Sequence, residues 1–299
     1  MSWQIYILRF YFKSISLFIP KFAGLNAFKL FQKVRIKTIR KREEGFYEEV
    51  HHFKIGSPKE DILCYEIGSG NKNLVFLIHG WESNAGSLSK FAFQLSKNNY
   101  RVISFDLPGH AKYQSKYTNL VECKEAFSTL IEYIKPDKPF SVIAHSFGSA
   151  VCTYTLSKLN YKLDKLVFLT SPNSILEIFK DFKNLIGLSN HSFTYFVQKA
   201  NLLANEEIKN INVDEKLKLL DFSKLLLIHD EYDKIIPIKN SEEIKKMNTE
   251  NTQLIKYSKI GHYKMLWNDK VVEDTMQFLK KKKKAPEGAW ITLNNLFLG

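Results

Sequence analysis

The chain has little cysteine: three residues in 299, Cys64, Cys123 and Cys152, an odd number without metal-ligand spacing. That sets aside a disulfide framework and a thiolate metal site, and the three are expected to be buried, reduced thiols of a cytosolic protein. Long apolar runs are missing too. The aromatic and aliphatic stretch at residues 1–42 is broken by a basic residue every few positions. It therefore lacks the ~20 consecutive apolar residues of a membrane span. It also has few basic residues ahead of its apolar part and no small-x-small cleavage site, which does not fit a secretory signal. No internal repeat is visible, and no helix-turn-helix, zinc-finger or RNA-binding sheet motif stands in the body of the chain.

What is present in excess is positive charge, +13 overall, and its location matters more than its size. Residues 1–45 carry ten Lys/Arg against Glu43 and Glu44, Lys280 to Lys284 add five, and residues 46–279 hold 29 basic and 28 acidic groups. The body is neutral, so nucleic acid is not an expected partner. Residues 1–45 read as a basic amphipathic arm split by Pro20 into two helices. Two placements follow. In one, both helices pack over the body and leave their basic residues in water. In the other, residues 1–42 make a peripheral membrane contact, with aromatics in the headgroup boundary and Lys/Arg on anionic lipid. The expected location is cytoplasmic, or peripheral at the inner membrane surface. Residues 285–299, APEGAWITLNNLFLG, stand outside the fold pattern.

Between these ends, strand-like and helix-like segments alternate. Phe46 to Ile55 and Asp61 to Ile67 read as an opening antiparallel pair turning at Gly56-Ser57-Pro58. Apolar strand-like runs follow at Leu74 to Ile78, Arg101 to Phe105, Phe140 to Ile143, Lys165 to Leu169, Leu225 to His229 and Thr252 to Tyr257. That alternation predicts an α/β fold with a mostly parallel central sheet flanked by helices. The gap at 171–223 is too long for a simple crossover and predicts a small helical cap within a domain spanning 46–284.

The stretch VIAHSFGSAV puts Ser146 on a sharp strand-to-helix turn, flanked two residues away on either side by the small Ala144 and Gly148. Such a turn pushes the hydroxyl above the sheet edge beside the free N–H groups of the helix start. A serine hydroxyl needs a histidine base and an acid to orient it. His145 leaves the strand on the opposite side. Of His51, His52, His79, His110, His191, His229 and His262, only His262 stands in a late loop between a strand-like run and a closing helix. The acid comes from LLLIHDEYDKIIP. Asp233 has room to turn toward a neighbouring loop, and Asp230, at the strand end, is the second candidate. A tetrahedral intermediate also needs two preset donors; the amides of Trp81, after the strand ending at Ile78, and of Phe147 fill that role.

Five motifs, His79-Gly80-Trp81, Asp106-Leu107-Pro108-Gly109-His110, Ala144 to Gly148, His229 to Asp233 and Gly261-His262, resemble those of the α/β-hydrolase superfamily. From about Tyr47 to Lys281 the chain is most similar to bacterial single-domain serine hydrolases and esterases. Ala144 stands where the elbow commonly has glycine. Ala111 stands where glycine commonly follows the PGH motif, which implies a differently shaped loop at 111–117. The resemblance implies the chain order Ser146, Asp233, His262, an acyl-enzyme, and cleavage of a small-molecule ester or related acyl substrate without metal or organic cofactor. Thioesterase, lipase, peptidase and acyltransferase chemistry share this scaffold, and a non-catalytic ligand-binding protein is the reading from another class. The oligomeric state stays open.

Overall fold

The computed structural model describes residues 3–248 and 250–280. Two helices, α1 (Trp3–Phe18) and α2 (Pro20–Phe31), precede α3 (Lys41–Glu49) and the strands β1 (His51–Ile55), β2 (Ile62–Ile67) and β3 (Asn73–Ile78). Alternation then sets in: α4 (Ser89–Ser96), β4 (Tyr100–Phe105), α5 (Leu120–Ile134), β5 (Phe140–His145), α6 (Phe147–Leu156) and β6 (Lys162–Leu169). After the cap helices α7 (Ile175–Ile186), α8 (Asn190–Ala204) and α9 (Val213–Leu217) come β7 (Asp221–Asp230), α10 (Lys239–Met247), β8 (Thr252–Tyr257) and α11 (Asp269–Lys280).

Among the described residues, eight strands form one sheet in the order β1-β2-β4-β3-β5-β6-β7-β8. The pairings of β1 with β2 and of β2 with β4 are antiparallel, and the rest are parallel. Parallel strands buried on both faces read as continuous apolar runs, and here alternate residues feed two cores. Phe76, Ile103, Val142, Phe168 and Leu227 join the core under α5, α6 and the cap. Val75, Val102, Ile143, Val167 and Leu226 join the one under α4 and α11. The strand order reverses at β3, which lies between β4 and β5. A reversal of that kind opens a crevice at the carboxyl ends of its strands, where the residues after β3 and β5 meet.

The start of the domain departs from the sequence reading. Residues 46–49 belong to α3 and not to the first strand, which begins at His51. The carboxylate of Glu43 accepts the Arg40 amide N–H at 2.9 Å, closing the helix start. Glu43 and Phe46 are both buried, on one helical face. The Asn84 side chain donates to Glu43 at 2.8 Å, and the Tyr47 hydroxyl donates to Asn84 Oδ1 at 2.9 Å. Residues 45 and 46 thus lie inside one helix, whose buried face pairs the Glu43 carboxylate with the apolar ring of Phe46. The tail at 285–299 lies outside the described residues.

Pro20 opens α2 at its first position, where its missing N–H costs nothing. The two N-terminal helices do pack over the body: α1 lies on α2 and α7, and α2 lies on α8. Phe28 and Phe31 of α2 meet Phe179 of α7 and Phe196 of α8 edge to face, with ring centroids about 5 Å apart. The closest approach is at Gly24, where a β-carbon would stand 2.2 Å from the backbone oxygen of Ser192. Glycine is needed there for the closeness of the crossing, since it sits within a regular helix. Gly24→Val should cost about 1–3 kcal/mol through overpacking, read as a melting temperature lowered by several degrees in circular dichroism; an unchanged melting curve would contradict this crossing.

Candidate active site

The turn after β5 is held in a conformation that a side chain rarely adopts. Ser146 has φ 50° and ψ −122°, a backbone state costing on the order of 1–3 kcal/mol unless its surroundings enforce it. They do so by close contact. The Ser146 amide donates to the Leu169 carbonyl of β6 at 2.8 Å. A β-carbon at Gly148 would stand 2.5 Å from the Ile78 oxygen and 2.7 Å from that of His79, so α6 begins directly against the end of β3. Across the same contact, a β-carbon at Gly80 would stand 2.9 Å from His145 Nδ1 and 3.1 Å from Ser146 Cβ. The loop carrying Trp81 and the turn carrying Ser146 are pressed together. No described oxygen accepts a hydrogen bond from the amide of Trp81 or of Phe147, and Phe147, first in α6, has no intrahelical acceptor. Their rings meet edge to face at 5.3 Å.

At the ends of β7 and β8 the structure joins His262 to Asp233. Nδ1 of the imidazole donates to Asp233 Oδ2 at 2.7 Å, and both side chains are almost fully buried. Donation from Nδ1 leaves Nε2 of the neutral ring as an acceptor. Burial by itself would raise the Asp233 carboxyl. The hydrogen bond and electrostatic attraction of the His262 ring, with the amides of Ile235 and Ile236 on Oδ1, outweigh it and hold the group below the ordinary carboxylate value. Asp230 is placed differently. Its buried carboxylate accepts the amides of Tyr232, Ile260 and Gly261, so it holds the loop on which His262 sits. Among the described hydrogen bonds, the imidazole is joined to Asp233 and not to the Ser146 hydroxyl. The loop nonetheless lies on the turn: the His262 carbonyl is 3.2 Å from Nε2 of His145, the residue before Ser146, and the two rings are 4.9 Å apart.

Two histidines have positioning roles that the sequence pattern did not reveal. His79 is fully buried, its Nε2 accepting the Leu107 amide at 2.9 Å and its Nδ1 donating to the Gly80 carbonyl at 2.7 Å. It fastens the end of β3 to the loop after β4. His145 fastens β5 to the His262 loop as described. Burial first, and then a neighbouring imidazole, push both far below the ordinary histidine value, so both are neutral tethers. Their partners are mostly backbone groups, which leave no side-chain signature in the sequence. Asp106 likewise anchors structure, accepting Tyr65 Oη at 2.7 Å and the Ala85 amide at 2.8 Å. The three cysteines are buried and unpaired, with Cys123 pushed up to about 12 by burial.

Ser146 opens onto a cavity of about 240 Å³ whose walls are almost wholly apolar. Trp81, Phe147 and Ile235 line it near the turn, and Ile178 and Leu203 line it from the cap. Phe28 and Phe31 of α2 complete the lining, so the N-terminal arm forms part of the cavity roof. The arm is tied to the rim on two sides. The Val34 amide donates to the Lys116 carbonyl at 2.8 Å, and the Thr118 amide donates back to the Gln32 carbonyl at 3.0 Å. Arg35 clamps the carboxylate of Glu82, next to Trp81, through its backbone N–H and guanidinium. Ala111, in the rim loop, keeps the positive φ (44°) that glycine adopts without cost.

Residues 73–202 match a family model described as the alpha/beta hydrolase fold. Protein phosphatase methylesterase 1 of Candida glabrata is 31% identical over 180 residues, which is 54% of this chain and 42% of that protein, so the match spans less than half of that relative. A Mycoplasma genitalium protein named as an esterase/lipase is 22% identical over 200 residues, 57% of this chain and 75% of its own. Among solved structures, an esterase of Pyrococcus furiosus aligns with a TM-score of 0.62 at 18% identity, covering 83% of this chain and 97% of that one. The sheet order and these matches show that the chain has the α/β-hydrolase fold.

The strain at Ser146 has a measurable consequence. Ser146→Gly removes a side chain from a left-handed backbone, gaining about 1–3 kcal/mol less the roughly 0.5–1 kcal/mol of added glycine entropy. Its melting temperature should exceed that of Ser146→Ala, which keeps the β-carbon. A Ser146→Gly protein that melts below Ser146→Ala would show the turn to be unstrained.

Proposed function

We propose that the chain is a serine hydrolase that cleaves carboxylic esters with an apolar acyl or alcohol group. The observation that carries this reading is the buried Asp233–His262 pair, bonded at 2.7 Å on a loop tethered to the Ser146 turn. Substrate enters the apolar cavity with its carbonyl at the turn. Ser146 Oγ attacks the carbonyl carbon and gives its proton to Nε2 of His262, while Asp233 keeps the tautomer and steadies the imidazolium. Charge developing on the carbonyl oxygen falls to the amides of Trp81 and Phe147. The tetrahedral adduct collapses, the C–O bond to the alcohol breaks, and His262 protonates the leaving oxygen. Water, deprotonated by the same imidazole, then attacks the acyl-enzyme and releases the acid. The serine–imidazole bond is one that commonly tightens only when substrate is bound. The esterase names of the relatives support the substrate class.

The test is turnover of p-nitrophenyl esters over a series of acyl lengths. The wild type should hydrolyse them, with the best chain length set by the cavity. Ser146→Ala and His262→Ala should each lower kcat by at least about 10³-fold and Asp233→Asn by about 10³–10⁴-fold, with folding unchanged by circular dichroism. Asp230→Asn, which loosens the loop without removing a proton carrier, should retain more activity than Asp233→Asn. Wild-type turnover in folded Ser146→Ala would overturn the assignment.

A further inference from the structure

We propose that the outer face of the α1–α2 pair is a docking surface for an anionic lipid bilayer. On the inner side of these helices Phe12, Ser16, Ala23, Ala27 and Phe28 are buried against the cap. The outer side is left open and is apolar. Trp3, Phe10 and Leu17 recur at helical spacing along α1 and are 69%, 75% and 78% exposed, and Phe18, at the turn between the helices, is 83% exposed. Tyr6 and Ile7 of α1 and Phe22 and Leu25 of α2 are exposed as well. Single exposed apolar residues need no explanation, but a row of large exposed apolar residues at helical spacing does.

Charge selects the occupant. From residue 3 to residue 33 the chain carries Arg9, Lys13, Lys21, Lys29 and Lys33 and no acidic residue. Aromatic and aliphatic residues flanked by cations, without any anion, is the pattern of a helix lying in the interface of an anionic membrane. A second copy of the chain is disfavoured by the same count. A two-fold contact would set these two basic helices against their own copies, with no carboxylate from residues 3–33 of either copy to compensate. Neither helix spans a bilayer, since no described helix is long and apolar enough to cross one. The opposite side of α2 lines the cavity below Phe28 and Phe31, so a bilayer on the outer face would lie one helix away from the proposed acyl site.

The test is co-sedimentation of the full chain with vesicles of phosphatidylcholine alone and of phosphatidylcholine mixed with phosphatidylglycerol. Three proteins are compared: wild type, Trp3→Ser/Phe10→Ser/Phe18→Ser, and Lys13→Glu/Lys21→Glu. The altered side chains are exposed, and unchanged melting curves verify that each variant is folded. Wild type should partition at least about tenfold more strongly to the anionic vesicles, raised salt should weaken it, and each variant should lose about tenfold or more. Equal recovery of wild type in the supernatant with both vesicle types overturns the proposal. So does undiminished binding of the two variants, which would assign the attraction to another part of the chain such as the lysine run. A concentration-dependent dimer abolished by the triple substitution, without vesicle binding, would assign the face to a second copy instead. None of these outcomes depends on esterase activity, so the docking surface and the catalytic assignment fail or stand separately.

Discussion

The start of α6 lies so close to the end of β3 that residue 148 has no room for a side chain, its position being fixed by the carbonyls of Ile78 and His79. That contact forces Ser146 into its left-handed backbone state and sets the free N–H of Phe147 beside the loop that carries Trp81. Gly80 repeats the constraint from the other side, against His145 and Ser146. The reversal of strand order at β3 brings the two loops to one crevice, and the absence of two β-carbons lets them touch there. The strain is maintained by the surrounding sheet, in particular by the bond from the Ser146 amide to Leu169 of β6.

Around this turn, buried polar groups act as tethers and leave few side chains for proton transfer. His79 ties β3 to the loop after β4, His145 ties β5 to the His262 loop, and Asp230 gathers the amides of Ile260 and Gly261. The neutral imidazoles of His79 and His145 can serve in a buried site because neither carries a charge that would have to be desolvated. Asp233 is the acid that instead meets an imidazole, and that partner, with two backbone amides, keeps its carboxylate ionised despite burial. Two aspartates three residues apart thus do different work because one reaches backbone and the other reaches a ring.

Much of the sheet was legible in the sequence because strands buried on both faces are written as apolar runs, and the strand–turn–helix at 140–156 was legible because small residues must flank so tight a turn. The first residues of the domain were not. Helix α3 hides a carboxylate, Glu43, whose partner Asn84 comes from a distant segment, and a window read for apolar alternation took its last turn for a strand. The tethers His79 and His145 escaped for the related reason that they bind backbone groups, which no residue type announces. The arm was legible as two helices split at Pro20. Its place in the cavity roof depends on Gly24 meeting Ser192 and on Phe31 meeting Phe179, contacts between parts of the chain far apart in sequence.

The account rests on Ser146 being the one hydroxyl that this arrangement makes nucleophilic. Reaction with a fluorophosphonate followed by mass mapping of the proteolysed adduct tests it most directly, because the reagent records which oxygen attacks regardless of the natural substrate. The account predicts a single adduct, on the peptide containing Ser146, that fails to form in His262→Ala. A folded protein that takes up no reagent, or one that carries it on any other serine, would contradict it.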